Sequence, residues 1–527
     1  MLNDKWRQKT WSDIKKSWDI IVIGGGITGA GILREATRAG LSALLVEAGD
    51  FACGTSSRSS KMVHGGLRYL KNAQLKITYE SVSERKRLLA EGKGLIREMA
   101  FLYGCFKGDK LPGWVFGIGL CVYDILARTW RHRRYDSFDM QGFCPFLTNP
   151  KLLAGYRFFD ATTDDARLVF RVIREAVADG GTAMNYACVD KLILTNDGNV
   201  CGVVLSDQSP EKRGDVEIQA KVVINATGPN VDKMRAQIGK KRKLRPLRGS
   251  HFIISRKRLP LIRAVTFSHP DDGRPVYALP WENAIIFGTT DVDHGENPTL
   301  NPRISVRETE YLLKAMDYVF PEIDLGYGDV QSTYSGIRPT YDTGKEDPSK
   351  ESREHVVWQE NGLLSVSGGK LTTFRLMARD ALRIVRKRLP KLKGFSKDHR
   401  ILDSVPDDFA KPIENLSPRT QLRLSGRYGM EAFNLMDSAG NGEFEKIEET
   451  PYLWAELRWS ARAEAIVHLE DLLLRRVRLG NLLPNGGIHL LDRIKAIVQP
   501  ELDWSDARWT DEVNSYKKLW KNCYSLQ

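Results

Sequence analysis

The chain alternates short apolar runs with glycine-rich turns and amphipathic stretches. Residues 19–23, DIIVI, form an apolar run of strand length; GGGITGAG is a tight turn; ILREATRAG has the period of a helix that ends at Gly40. SALLVEAGD then reads as a second strand, and the strand–helix–strand order predicts a parallel sheet covered by helices. Further on, RLVFRVIREAVADGG is helical by period, KVVINATGPN is a strand and a turn, and LLSVSGGKLTTFRLMARDALRIVRKRL is a strand, a Gly turn and a long helix. The strands beside these turns are expected in one sheet, so that domain is assembled from separated pieces.

Between the pieces, runs such as RPVYALP and NAIIFGTTDVD read as antiparallel strands. After about residue 395 the chain becomes Trp-rich and helix-patterned, without strand-like apolar runs. The expected fold is α/β. A Rossmann-like, two-dinucleotide-fold domain (18–80, 150–240 and 336–395) carries an inserted antiparallel-sheet domain (81–149 and 241–335), and a helical C-terminal domain (396–527) follows.

With 527 residues the chain has length for two or three domains, and 79 Lys+Arg against 66 Asp+Glu, net +13, favours an anionic partner. Cys53, Cys105, Cys121, Cys144, Cys188, Cys201 and Cys523 show no CxxC spacing, which argues against zinc, iron–sulfur ligation and a disulfide framework and for a reducing compartment. No metal is expected. The opening MLNDKWRQKTWSDIKKSWD lacks the apolar core of a secretory signal. The longest apolar stretch, LPGWVFGIGLCVYDILA (111–127), is Gly-rich, carries Asp124 and falls short of the roughly 20 residues a spanning helix needs. RTWRHRR follows it at once. The pair fits a segment lying on an anionic bilayer equally with a buried helix that has a solvated basic end.

Gly24, Gly26 and Gly29 fit GxGxxG, with Thr28 at the helix start: the first glycine permits the turn, the second lets a pyrophosphate approach, the third packs helix on strand. Glu47 ends the next strand, where an acid accepts ribose hydroxyls and disfavours a 2′-phosphate. FAD and NAD share this fingerprint. The turn Ala226, Thr227, Gly228 resembles the second motif of two-dinucleotide-fold flavoproteins, and the turn Gly369, Lys370, Leu371, Thr372 feeds a helix N-terminus suited to negative charge on a reduced flavin.

GGGITGAG, TSSRSSKMVHGGLRYL, DATTDDARLV, INATGPN, RGSH, PWENAIIFGTTD, SGIRP, SREH and SGGKLTTF, in this order over about residues 18–390, resemble the FAD-dependent, respiratory-type glycerol-3-phosphate dehydrogenases of the D-amino-acid-oxidase-like superfamily. DLLLRRVRL (471–479) resembles their C-terminal helical domain. The resemblance implies that Thr55, Ser56, Ser57 and Arg58 bond cofactor oxygens, that His64, Gly65 and Gly66 lie against the flavin, and that Arg68 and Tyr69 reach the substrate. It further implies oxidation of sn-glycerol 3-phosphate to dihydroxyacetone phosphate, non-covalent FAD, and electrons passed to ubiquinone or menaquinone by a peripheral protein on the cytoplasmic side of the inner membrane. A homodimer is compatible with it.

Oxidising a secondary alcohol needs a base near the hydroxyl, and histidine is poised for this near neutral pH. The candidates are His64 and His251, with His64 slightly favoured. Forked donors suit the phosphate, which points to Arg338, Arg353 and Arg68; Arg338 also stands as a cation for the forming ketone, and Lys370 for the flavin. An oxidase of glycerol phosphate, amines or amino acids on the same fold is the near alternative, with the arginines favouring a phosphate. Nucleic-acid binding through KKRKLRPLR (240–248) is disfavoured because no binding module accompanies the run.

Overall fold

The computed structural model describes residues 1–526 apart from 15–16, 71–73, 296–300, 345–353, 397–398 and 406–415. Among the described residues two sheets organise the chain. The first has eight strands. At its centre Trp18–Ile23 lies parallel to both Ala43–Val46 and Asp215–Asn225, with Thr182–Met184 and Leu363–Ser367 continuing the parallel order on either side. Alternate residues of the central strand serve opposite faces, as the two-residue period requires. Ile20 and Val22 join one core cluster with the helices Ile27–Arg38, Asp165–Ala178 and Phe374–Ile384, while Ile21 and Ile23 join another with the antiparallel strands Ala187–Leu194 and Val200–Asp207. Burial on both faces is why these strands read as continuous apolar runs.

The second sheet has ten strands, mostly antiparallel. Pro275–Trp281 and Ala284–Gly288 pair antiparallel as expected, and Leu244–Ser255 pairs with Val330–Tyr341 along almost its whole length. Two boundaries shift from the sequence expectation. Leu152–Thr163, placed with the first domain by the boundary at 150, pairs with Ile96–Phe106 in the second sheet, and Val330–Tyr341 crosses the boundary at 335/336 within that same sheet. Hydrogen-bonded pairing with distant strands decided membership, and pattern along the chain carries no record of it.

The C-terminal helices share a core with this sheet. Phe101, Tyr156, Ile253, Leu279, Trp281 and Tyr334 pack with Leu457, Leu472, Trp509, Tyr516 and Trp520 in one cluster. The opposite face of the sheet is covered by the helix Val306–Val319, whose Ser305 and Glu308 form a capping box. Helix Gly113–Ala127 lies over the end of the sheet with Leu120 and Tyr123 inward and Trp114, Ile118 and Ile125 outward.

Candidate functional site

Three glycine turns from the first sheet converge with the 55–66 segment and one face of the second. At the first turn Gly24 has φ +113°, and a Cβ there would stand 2.5 Å from the Ala226 carbonyl oxygen, so the turn after Asp215–Asn225 closes directly on it. A Cβ on Gly29 would stand 1.9 Å from the Gly24 oxygen, which is the close helix–strand packing that the third glycine permits. Gly26 caps the 12-residue helix Ile27–Arg38 without a side chain, and Thr28 lies in its first turn. Glu47 accepts the Gly25 N–H at 2.6 Å and the Gly49 N–H at 2.9 Å. Burial outweighs these bonds and raises its pKa above the usual glutamate value.

The 55–61 loop uses its hydroxyls on the protein. Thr55 donates to the Ile337 carbonyl, Ser56 Oγ accepts the Ile27 N–H at 3.0 Å, and the Ser57 carbonyl accepts Lys61 Nζ at 2.7 Å and Arg478 Nη1 at 3.1 Å. Arg58 donates to Tyr524 Oη at 2.9 Å and to Asn301. Asp165 Oδ2 accepts both the Ser59 N–H at 3.0 Å and its hydroxyl at 2.7 Å. Lys61, wholly buried, pairs with Asp165 at 2.9 Å, and burial lowers its pKa to about 8. Ser60 Oγ lies 3.0 Å from His251 Nε2 and also accepts the Tyr277 hydroxyl.

The glycine turn at 65–66 meets the turn at 368–372. Thr372 Oγ1 accepts the His64 N–H at 3.1 Å and donates to the His64 carbonyl at 3.2 Å, while Gly368 and Gly369 both have φ +75°. Leu371 and Thr372 form the 3-10 turn that precedes Phe374–Ile384. Lys370 Nζ donates to Ser81 Oγ at 2.7 Å. The Gly65 N–H donates to Tyr123 Oη and Asp160 Oδ1, each at 3.1 Å, and a Cβ on Gly65 would stand 2.2 Å from that phenol oxygen.

On the second sheet, His251 pairs in register with Tyr334, and its ring stacks on the tyrosine at 4.6 Å. Burial first, then the charges of Arg338 and Lys61, hold its pKa well below the usual histidine value, so it is neutral near pH 7. Arg338 pairs with Asp291 at 2.9 Å, and its guanidinium occupies the space over Gly249, where a Cβ would stand 2.3 Å from it. Gly249 and His251 share a strand face by the two-residue period, so cation and imidazole lie side by side. Gly336 lets the Arg58 backbone approach the same face, a Cβ there standing 2.5 Å from the Arg58 oxygen. The helix Leu67–Leu70 contains Arg68 and Tyr69, whose side chains, like all of Arg353, lie outside the described residues.

Glycine-lined turns closing on a helix N-terminus make a cradle for a dinucleotide pyrophosphate, because side chains are absent where backbone N–H groups must approach the ligand. Comparison with known proteins agrees. Residues 19–382 match the family described as FAD dependent oxidoreductase. The chain belongs to that family. FAD is its cofactor, and the cradle fits it. Residues 378–509 match the C-terminal domain of alpha-glycerophosphate oxidase. The chain is 33% identical to the aerobic glycerol-3-phosphate dehydrogenase of Staphylococcus aureus, over 94% of its own length and 93% of that protein. The structure is similar to the glycerol-3-phosphate dehydrogenase of Bacillus halodurans complexed with FAD, with TM-score 0.79, 27% identity and coverage of 99% and 98% of the two chains. The L-alpha-glycerophosphate oxidase of Mycoplasma pneumoniae shares the fold at TM-score 0.59, 16% identity and coverage of 74% and 99%.

For this member of the FAD-dependent oxidoreductases, sequence reasoning left several site neighbours without a role. Ser60 lies in TSSRSSKMVHGGLRYL, Asp160, Asp164 and Asp165 are the acids of DATTDDARLV, and Arg475, Arg476 and Arg478 the bases of DLLLRRVRL. Those motifs were the available signal. Asp291, the last residue of PWENAIIFGTTD, shared that signal; Tyr277, Tyr123 and Tyr524 carried none, because each reaches the site only through the fold.

Proposed function

We propose that the protein oxidises sn-glycerol 3-phosphate to dihydroxyacetone phosphate and passes the electrons to a membrane quinone, ubiquinone or menaquinone. The observation that carries this reading is the neutral, buried His251 beside the Arg338 guanidinium on one strand face. A proton acceptor next to a forked cation is what a phosphorylated secondary alcohol requires. The names of the Staphylococcus aureus and Bacillus halodurans relatives support the same substrate. When bound, FAD would supply the two-electron acceptor for the hydride that leaves the substrate C2.

The chain's own residues divide the remaining work. His251 or His64 takes the hydroxyl proton; His251 is neutral near pH 7, and burial beside two cations lowers its basicity. Arg338 stabilises the oxygen that becomes the ketone or holds the phosphate, together with Arg68, Tyr69 and Arg353. Lys370 and the helix it precedes stabilise negative charge on the flavin. Gly24, Gly26, Thr28, Gly29, Glu47, Thr55, Ser56, Ser57, Arg58, Gly65, Gly66, Ala226, Thr227, Gly228, Gly369, Leu371 and Thr372 hold the cofactor.

Among the described residues no helix is long and apolar enough to cross a membrane. Helix Gly113–Ala127 instead turns Trp114, Ile118 and Ile125 outward, and the stretch that follows it in sequence leaves Trp130 at 68% and Phe138 at 82% exposure together with exposed Arg128, Arg133 and Arg134. Exposed apolar side chains and arginines in one stretch of chain suit an anionic bilayer surface, where a quinone is reached.

The test is the visible flavin spectrum of anaerobic protein before and after sn-glycerol 3-phosphate, followed by a quinone analogue and then air. Bleaching by the substrate with fast recovery on quinone and slow recovery in air is the expected result. Fast recovery in air moves the protein to the oxidases, and no bleaching overturns the substrate.

A further inference from the structure

The C-terminal helical domain reaches the cofactor loop at two buried points. Arg478, in left-handed backbone conformation at φ +55°, donates to the Ser57 carbonyl at 3.1 Å and pairs with Asp164 at 2.9 Å and with Asp165. Asp165 in turn accepts both donors of Ser59 and the Lys61 ammonium. Arg427 reinforces Asp164 at 2.9 Å. At the second point Tyr524, following the helix Asp506–Cys523, accepts Arg58 Nη2 at 2.9 Å and Nε at 3.3 Å through its hydroxyl. The Tyr524 carbonyl accepts the Thr333 N–H at 2.6 Å, which fastens it to the strand bearing Arg338. Arg58, Arg478 and Tyr524 are each at most 5% exposed, so these bonds meet little competition from water.

We infer that Arg478 and Tyr524 are positioning residues for FAD: the C-terminal helical domain clamps the 55–61 loop in the conformation that binds the cofactor. The inference rests on the reading that this loop borders FAD. A loop with only a single 3-10 turn loses conformational entropy when fixed. With the clamp in place that cost is met on folding; without it, only the ordered fraction binds and the apparent affinity falls by that fraction. Losing the Tyr524 hydroxyl removes a bond to a buried cation, for which binding weaker by on the order of tenfold is expected.

The experiment is fluorescence titration of full-length apoprotein with FAD for wild type, Tyr524→Phe, Tyr524→Leu, Arg478→Lys and Arg58→Lys, with apoprotein melting and the near-UV circular dichroism of bound flavin recorded alongside. Tyr524→Phe keeps the ring and removes only the hydroxyl. The expected result, at a temperature where every apoprotein is fully folded, is weaker FAD binding and an altered flavin dichroism for Tyr524→Phe and Arg478→Lys. Unchanged FAD affinity in the Tyr524 and Arg478 variants, with affinity lost in Arg58→Lys, overturns the clamp and leaves the loop reading standing. Unchanged affinity in all of them overturns both. Earlier melting of the Tyr524 and Arg478 variants with unchanged FAD affinity overturns the clamp as well, since it assigns these residues to stability alone.

Discussion

The unit around residues 18–47 and the 55–61 loop lie side by side at the cofactor site and are held in opposite ways. In the first, the pattern is local: apolar run, glycine turn, helix, acid at the strand end, with Glu47 tying back to Gly25 only 22 positions away, and the remote contribution, the Ala226 carbonyl over Gly24, is backbone. In the second, the partners are remote side chains, two of them charged: Asp165, His251, Arg478 and Tyr524 lie between 106 and 466 positions from the residues they hold. Backbone geometry makes the first site nearly self-sufficient, whereas the second exists only after the whole chain has folded. The same contrast recurs behind the loop, where Arg475 and Arg476 reach across 425 and 426 positions to Asp50.

The largest effect is expected where the local unit is broken. Gly29→Val places carbon atoms on the Gly24 oxygen, where even a Cβ has only 1.9 Å, so the helix must move off the turn. Purified protein should lack flavin, read as the absorbance ratio of flavin to protein.

Next comes the chemistry between the sheets. His251→Asn should lower the rate of substrate-driven flavin bleaching by about 10²–10⁴-fold with flavin content retained, the range for loss of a general base. His64→Asn measured in parallel assigns the base: the variant with the larger loss is the proton acceptor.

The buried ion pairs at Asp164 should cost stability, whereas the bonds from Arg478 and Tyr524 to the loop itself should cost FAD affinity. Asp164→Asn leaves Arg478 and Arg427 buried without their shared carboxylate and should destabilise by about 3–5 kcal/mol in denaturant titration.

Acid should reveal the same region more gently. Burial alone would raise the Asp50 pKa, but Arg476 and Arg475 outweigh it and lower it to about 2. A carboxylate whose folded pKa lies below its unfolded value of about 4 contributes stability above that value, and loses it as pH falls toward 2. The melting temperature should therefore fall between about pH 4 and pH 2, and Asp50→Asn should flatten that part of the profile.

At the small end, the exposed pair Arg131–Glu98 is solvent-screened, and Arg131→Ala should leave thermal stability within about 1 kcal/mol of wild type.

Much of the cofactor half was legible because strands buried on both faces and glycine turns leave unmistakable patterns. The parallel pairings, the helix from Ile27 and the turns at 226–228 and 368–372 follow from the order of apolar runs and glycines. Candidate residues such as His251, Arg338 and Lys370 were legible as types in motifs, and the fold brings them to the convergent turns. The membership of Leu152–Thr163 was not legible, since an apolar strand fits either sheet until its partner Ile96–Phe106 is known. The outward face of Gly113–Ala127 was equally ambiguous: an apolar helix looks the same in sequence whether covered or exposed.

What the sequence by itself determined is everything that depends on near neighbours: the glycine turns, the helix starts and the class of cofactor cradle. Only the tertiary structure decided which charges meet, that Arg338 lies beside a neutral His251, and that Tyr524 and Arg478 hold the 55–61 loop. The physical reason is that backbone conformation and periodic burial are properties of short segments. Ion pairs and buried hydrogen bonds instead depend on distances through space, which the chain sets only once its sheets have paired and its helices have packed.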